Sequence, residues 1–238
     1  MTTNSTIWLD EPRFRKQLDV MLSMQDSMNK MVFEDWASRG LAWHRAIYVE
    51  AGEFLEHLGT WKWWKKGTPD FPQANMELVD IWHFGLSWYI ERFGLPLGSE
   101  ALNTAITRRI KQALKGLPAA DQTLVVTNEM RHEQVDRLVE KAGARLFDTD
   151  AFVKLLAYCG MNFDQLFLHY VGKNILNRFR QMNGYKAGTY VKTWSGQEDN
   201  VHLEEALQKL AGVDADKLGD AVMAELTARY RDLVLSGA

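Results

Sequence analysis

Cysteine, proline and long apolar runs are what this sequence has least of, and each scarcity excludes something. The single cysteine, Cys159, rules out an intramolecular disulfide and a multi-cysteine metal site. It fits a reducing cytoplasm. No run approaches the ~18 consecutive apolar residues of a membrane span. The opening "MTTNSTIWLDEPRFRKQ" has no apolar core of the kind a signal peptide carries. A net charge of −3 leaves no global basic footprint, so general nucleic-acid binding is not expected. Only five prolines interrupt the chain, and β-branched alternation is scarce, so strands are not expected either.

What the sequence does have is helical periodicity and aromatic bulk. Its 238 residues, 46% of them hydrophobic, suffice for one large domain, or a domain with an insertion. Nine tryptophans suit cores, interfaces and ring-stacking pockets. The spacing of apolar residues predicts helices over about 12–37, 41–58, 74–93, 99–115, 129–143, 147–159, 162–183, 201–211 and 214–235. "TLVVT" within 119–128 could form a short extended piece, and the Gly-punctuated 183–200 reads as an ordered loop. The fold class is all-α: a helical bundle in a single domain, 1–238. The stretch 96–150 is a candidate inserted, mobile helical subdomain, because 96–145 is more charged than its flanks.

The chemistry concentrates in two stretches. "VEAGEFLEHLGTWKWWKKG" (49–67) places Glu50, Glu53 and Glu56 three apart, and "NMELVDIWHF" (75–84) repeats the interval with Glu77 and Asp80. Residues i and i+3 share a helix face. The connector is short enough for an antiparallel helix hairpin, in which the two acidic faces meet. Apolar flanks imply partial burial, and buried like charges need compensation. Divalent metal is the simplest compensation, and an all-oxygen ligand set suits Mg²⁺, with Mn²⁺ a plausible substitute. Acid pairs on a helix are also commonly a solvated face. A di-iron site would want Glu-x-x-His on two helices. Asp80-x-x-His83 is one partial match, and His57 follows Glu53 by four, which breaks the pattern on that helix.

Opposite charge gathers in "KNILNRFRQMNGYKAGTYVKTW" (173–194), where Lys173, Asn177 and Arg180 recur at i, i+4 and i+7. Such a row can hold a polyphosphate, with Lys as a point charge and Arg as a bidentate fork. Lys186 and Lys192 extend it. Gln25 and Asn29, at i and i+4, carry both donors and acceptors and so can read the edge of a base, although amides at this spacing are commonly just surface. Trp61, Trp63 and Trp64 could stack on a ring, or belong to core or interface.

Together these residues resemble the all-α dimeric dUTPase family, the dUTP/dUDP pyrophosphatases of the trypanosomatid, Campylobacter and phage type. That family sits within the helical NTP pyrophosphohydrolase superfamily that includes MazG-like proteins. The matching strings are "MLSMQDSMN", "EAGEFLEHLGTWKWWKK", "MELVDIWHF" and "YVGKNILNRFRQMNGYKAGTYVKTWSGQEDN", covering roughly 20–95 and 160–200. The paired acids are shared by the whole superfamily, whereas "WKWWK" and the "KNILNRFRQMNGYKAGTY" string are specific to the dUTPase branch.

The resemblance implies that Glu50, Glu53, Glu77 and Asp80 bind Mg²⁺. Glu53, central in the cluster, would orient or deprotonate the attacking water, with Glu50 beside it. It implies that Gln25, Asn29 and Trp61 face uracil, with His83 near the deoxyribose. Lys173, Asn177, Arg180, Lys186 and Asn200 would contact phosphates or metal, partly across a homodimer interface. The implied reaction is Mg-dependent hydrolysis of dUTP, and of dUDP, to dUMP, by metal-activated water at the α-phosphate. Two alternatives stay open: a MazG-like or dCTP-directed pyrophosphatase using the same metal site, and a helical dimeric interaction protein.

Overall fold

A computed structural model describes residues 9–94, 97–118, 125–210 and 212–235. Nine α-helices, one 3₁₀ turn, two π-helical turns and one β-hairpin of two-residue strands make up the regular structure among the described residues, so the all-α expectation holds. The chain divides into two compact units, Met1–Leu166 and Phe167–Ala238. Of the "TLVVT" expectation, 123–124 lie outside the described residues, and 125–127 carry no regular structure.

In the first unit, α1 (Glu11–Val32) starts where Asp10 accepts a hydrogen bond from the Arg13 N–H at 3.2 Å, with a proline in the first turn. Periodicity predicts helix as far as Ala37, yet α1 stops at Val32. Phe33 turns extended and its N–H closes on the Asn29 carbonyl. The bend lets Trp36 bury completely in a short 3₁₀ turn, its indole N–H donating to Asp26 at 3.0 Å.

Helix α2 (Trp43–Leu58) buries Ile47, Ala51, Phe54 and Leu58, one face at helical spacing. It ends on Gly59, and the loop after it is pinched at its neck. A Cβ on Gly67 would lie 2.2 Å from the Gly59 carbonyl oxygen, so only glycine permits this backbone approach. Asp70 caps α3 (Phe71–Tyr89), its N–H reaching back to the His57 carbonyl at 2.8 Å. Helix α3 is the central helix of this unit, buried on most of its circumference.

The α2–α3 pair is antiparallel. Trp43 at the start of α2 stacks on Phe84 and donates to Glu91, while His57 at its end lies 3.4 Å from Glu77. After a π-helical turn (Ile90–Gly94) come α4 (Ser99–Leu114), α5 (Asn128–Gly143) and α6 (Thr149–Tyr158). Trp82 of α3 stacks on Phe152 of α6 at 5.0 Å, fixing the bundle's interior.

Helix α7 (Phe163–Met182) runs from the first unit into the second. There it is followed by the hairpin β1 (Thr193–Trp194) and β2 (Gln197–Glu198), then α8 (Asp199–Leu210) and α9 (Ala215–Tyr230). The core of the second unit is aromatic. Trp194 is fully buried, stacks on His202 at 5.0 Å, and meets Phe179 and Tyr230 edge-on. The loop expected over 183–200 holds only in part: "NGYKAGTY" is irregular, closed by the Thr189 N–H on the Gly184 carbonyl, whereas 193–198 carry the hairpin and 199–200 open α8.

Candidate functional site

The antiparallel pair brings three of the four expected acids together. Glu50 and Glu53 of α2 and Glu77 of α3 each offer a carboxylate oxygen, all within 4.8 Å of one another. Glu77 is buried, Glu50 half-buried and Glu53 exposed, so the group opens to solvent on the Glu53 side. Asp80 is one helical turn beyond Glu77, and its charge reaches the group. Burial, then repulsion from Asp80 and Glu77, push the Glu50 carboxyl up to about 8. The convergence of the three carboxylates is the physical test of whether the residues fit a metal. Crowded carboxylates that resist ionising together are relieved by a divalent cation, and these side chains supply oxygen donors of the type Mg²⁺ takes. Sequence spacing set His57 aside as a ligand, and the structure places its Nε2 against Glu77 Oε1 at the rim of the cluster.

One face of α1 meets the next turns of α3. Gln25 and Asn29, candidates for surface amides on spacing alone, are only 4% and 8% exposed. Gln25 Nε2 donates to Asn29 Oδ1 at 3.1 Å and to Ser87 Oγ at 2.9 Å. Asn29 Nδ2 donates to the same Ser87 Oγ at 2.9 Å. Ser87 in turn donates to the His83 carbonyl at 3.0 Å, which exhausts a hydroxyl's capacity of one donor and two acceptors. His83 Nδ1 lies 2.8 Å from Gln25 Oε1, so in the neutral ring the proton sits on Nδ1. His83 is therefore tied to the amides.

Ser87 escaped the sequence reading because a lone serine in a helix carries no signal. Its position, four residues after His83 on the same face, was the available clue. The resulting arrangement leaves Asn29 one N–H and one carbonyl lone pair beyond these bonds.

Trp61 projects from the pinched loop, 37% exposed, edge-on to Trp64 at 5.4 Å and with the Lys62 ammonium 5.5 Å above its ring. Trp63 is 90% exposed. Thr60 Oγ1 lies 3.1 Å from His132 Nε2, which links this loop to α5.

In the second unit, Lys173 is buried in α7, and Asn177 and Arg180 follow at the expected spacing. Arg180 grips a residue the sequence reading passed over. Its Nε and Nη2 both lie 2.8 Å from the fully buried Asp199 carboxylate, and Nη1 donates to Asn177 Oδ1 at 3.0 Å. Asn200 Oδ1 is 3.4 Å from Nη2. Tyr190 donates to the same carboxylate, and burial, then this anion, hold its phenol well above its usual range. The clue to Asp199 was its place in "QEDN", beside Asn200. Lys186 is exposed in the loop, and Lys192 pairs with Glu198 at 3.0 Å. The only cysteine is buried, which pushes its thiol up to about 12 and makes it a poor nucleophile.

No helix among the described residues is long and apolar enough to cross a membrane. Comparison with curated proteins gives no match. Comparison with protein-family models matches the dUTPase family over residues 17–185. That span holds both amides, all four acids, His83 and the α7 row. The chain therefore belongs to the dUTPase family.

Proposed function

We propose that this dUTP diphosphatase hydrolyses dUTP, and dUDP, to dUMP at the α-phosphate, with Mg²⁺ held by Glu50, Glu53, Glu77 and Asp80. The observation that carries this reading is the convergence of three carboxylates within 4.8 Å, in a chain of this family. A bound divalent cation would neutralise phosphate oxygens and lower the pKa of water beside it. Glu53, the exposed member, takes the proton from the attacking water at its carboxylate oxygen. Glu50 and Glu77 hold the enclosed side of the cluster.

Asn29, locked by Gln25 and Ser87, reads the uracil edge, and Trp61 covers the base. His83 Nδ1 stays committed to Gln25, and its ring packs towards the sugar. Lys173, Asn177, Arg180, Lys186 and Asn200 contact the phosphate chain, partly across a homodimer. The segment 96–150 closes over bound substrate. Slowed hydrogen exchange there with a non-hydrolysable dUTP analogue is the expected result, and unchanged exchange would remove this element of the reading.

The deciding experiment is turnover of dUTP, dUDP, dTTP, dCTP and UTP with Mg²⁺, run beside Glu53→Gln. Turnover confined to dUTP and dUDP, and lost in Glu53→Gln, is expected. Turnover of dCTP instead would transfer the metal chemistry to a dCTP-directed enzyme. Full activity of Glu53→Gln would end the proton-transfer assignment. Light scattering reporting a monomer at working concentration would end the dimer assignment.

A further inference from the structure

Two of the cavities in the first unit are lined by none of the four acids. The larger, about 930 Å³, lies along α1 and the 36–38 turn. Its charges are largely paired off, Lys30 with Asp26 and Arg15 with Glu11, so little is left over to recognise a ligand. The second, about 530 Å³, differs. It lies at the C-terminal end of α3, between α4, α5 and the turn before α6. Its volume falls in the ~300–1,000 Å³ range of small-molecule sites. Trp88, in its wall, follows Glu77 by three helical turns, about 16 Å at 1.5 Å per residue.

Arg92, Arg109, Arg137 and Lys141 all line this cavity. Its two carboxylates, Asp148 and Asp150, are taken: Arg137 lies 3.2 and 2.9 Å from them, and Lys154 is 2.8 Å from Asp150. Arg92, Arg109 and Lys141 are exposed and meet no carboxylate among the described residues. Arg109 is held in place all the same, its guanidinium 5.9 Å from the centres of both the Tyr89 and Phe93 rings. Like charges do not gather in one concavity without repulsion, and a concave wall focuses their field onto any anion that enters.

The wall between the cations is flat and apolar. Trp88 and Phe93 meet edge-on at 5.6 Å. The indole N–H of Trp88 donates to the Arg145 carbonyl at 2.9 Å, which fixes the ring. Gln112 adds an amide to the lining. We propose that this cavity is a second, non-catalytic ligand site for a nucleoside monophosphate, its phosphate between Arg92, Arg109 and Lys141 and its base against Trp88 and Phe93. Three cations with no carboxylate partner among the described residues, beside a fixed aromatic wall, match a ligand that joins anionic oxygens to a planar ring.

The test uses AMP as probe, because a purine does not present the uracil edge that Asn29 reads. The full chain and an Arg92→Ala/Lys141→Ala variant are titrated calorimetrically with AMP, and separately with inorganic phosphate, in EDTA. Both substituted side chains are exposed, so an unchanged thermal midpoint is expected of the variant. If it fails to fold, Arg92→Gln/Lys141→Gln replaces it. Expected are one AMP per chain, about tenfold or more weaker binding in the variant, and weaker binding of phosphate than of AMP. Slowed hydrogen exchange over 88–93 and 137–149 of the unaltered chain should accompany AMP. Absence of AMP binding at millimolar concentration, or equal affinity in both proteins, would overturn the site. Phosphate binding as tightly as AMP would overturn the role of the aromatic wall. None of these outcomes depends on the catalytic reading.

Discussion

Replacing Ser87 with alanine tests how this protein tells uracil from cytosine. In the folded chain the Ser87 hydroxyl accepts from both Gln25 and Asn29. Gln25 Nε2 keeps a second acceptor in Asn29 Oδ1, but Asn29 Nδ2 donates to Ser87 alone among the described residues. Ser87→Ala therefore strands about one buried donor, at a cost of roughly 1–3 kcal/mol. For a unit of this size, that lowers the thermal midpoint by about 2–12 °C.

The same bonds fix which way the Asn29 amide points. A flipped amide would set its oxygen against a hydroxyl already donating to the His83 carbonyl, and its NH₂ against the NH₂ of Gln25. A flipped Asn29 is what cytosine would need, since cytosine exchanges donor and acceptor along that edge. Without Ser87, the preference falls by an amount comparable to the stranded donor. The dUTP/dCTP ratio of kcat/KM should then drop by about 5- to 150-fold. The assay is initial rates on both nucleotides at saturating Mg²⁺, beside a thermal melt. An unchanged ratio in a Ser87→Ala protein that has lost stability as expected would refute the locking argument. An unchanged midpoint as well would refute the network.

Other perturbations have equally definite outcomes. The Glu50 carboxyl is raised from 4.5 to about 8, so between those values the folded chain binds more protons than the unfolded one. In EDTA its stability should therefore fall as pH rises through that window and level off above it. Because the metal displaces that proton, the Mg²⁺-induced rise in midpoint should be larger at pH 8.5 than at pH 6, and a rise independent of pH would contradict the crowded-carboxylate picture. Asp199→Ala leaves the Arg180 guanidinium without its bidentate partner in a mostly buried position. It should destabilise by about 3–5 kcal/mol in chemical denaturation, and a loss below 1 kcal/mol would show the pair to be dispensable. Gly67→Ala forces a Cβ to 2.2 Å from the Gly59 carbonyl oxygen. The loop neck must open, and KM for dUTP should rise through displacement of Trp61; an unaltered KM would detach that loop from the base.

The helices and their acid pairs were legible in the sequence because both are periodic. Apolar spacing located the helical segments, and i, i+3 acids on consecutive helices pointed to a meeting of Glu50, Glu53, Glu77 and Asp80, of which the first three lie within 4.8 Å of one another. Boundaries were less legible where burial of one side chain overrode periodicity, as where Trp36 ends α1 five residues early. Gln25 and Asn29 show the same limit. Their spacing was visible, but whether that face of α1 met water or α3 was a matter of packing, and packing decided for burial.

What the sequence determined by itself was the fold class, the acidic helix pair and the family to which its motifs point, all of which reside in local patterns a few residues long. The tertiary structure alone decided that Ser87 joins two amides 58 and 62 residues away. It also decided that Arg180 closes on Asp199, and that three cations from α4, α5 and the π-helical turn after α3 share one aromatic-walled cavity. Such partners come together only when helices pack, because hydrogen bonds and charge pairs act over a few ångströms and the chain separating them carries no record of the meeting.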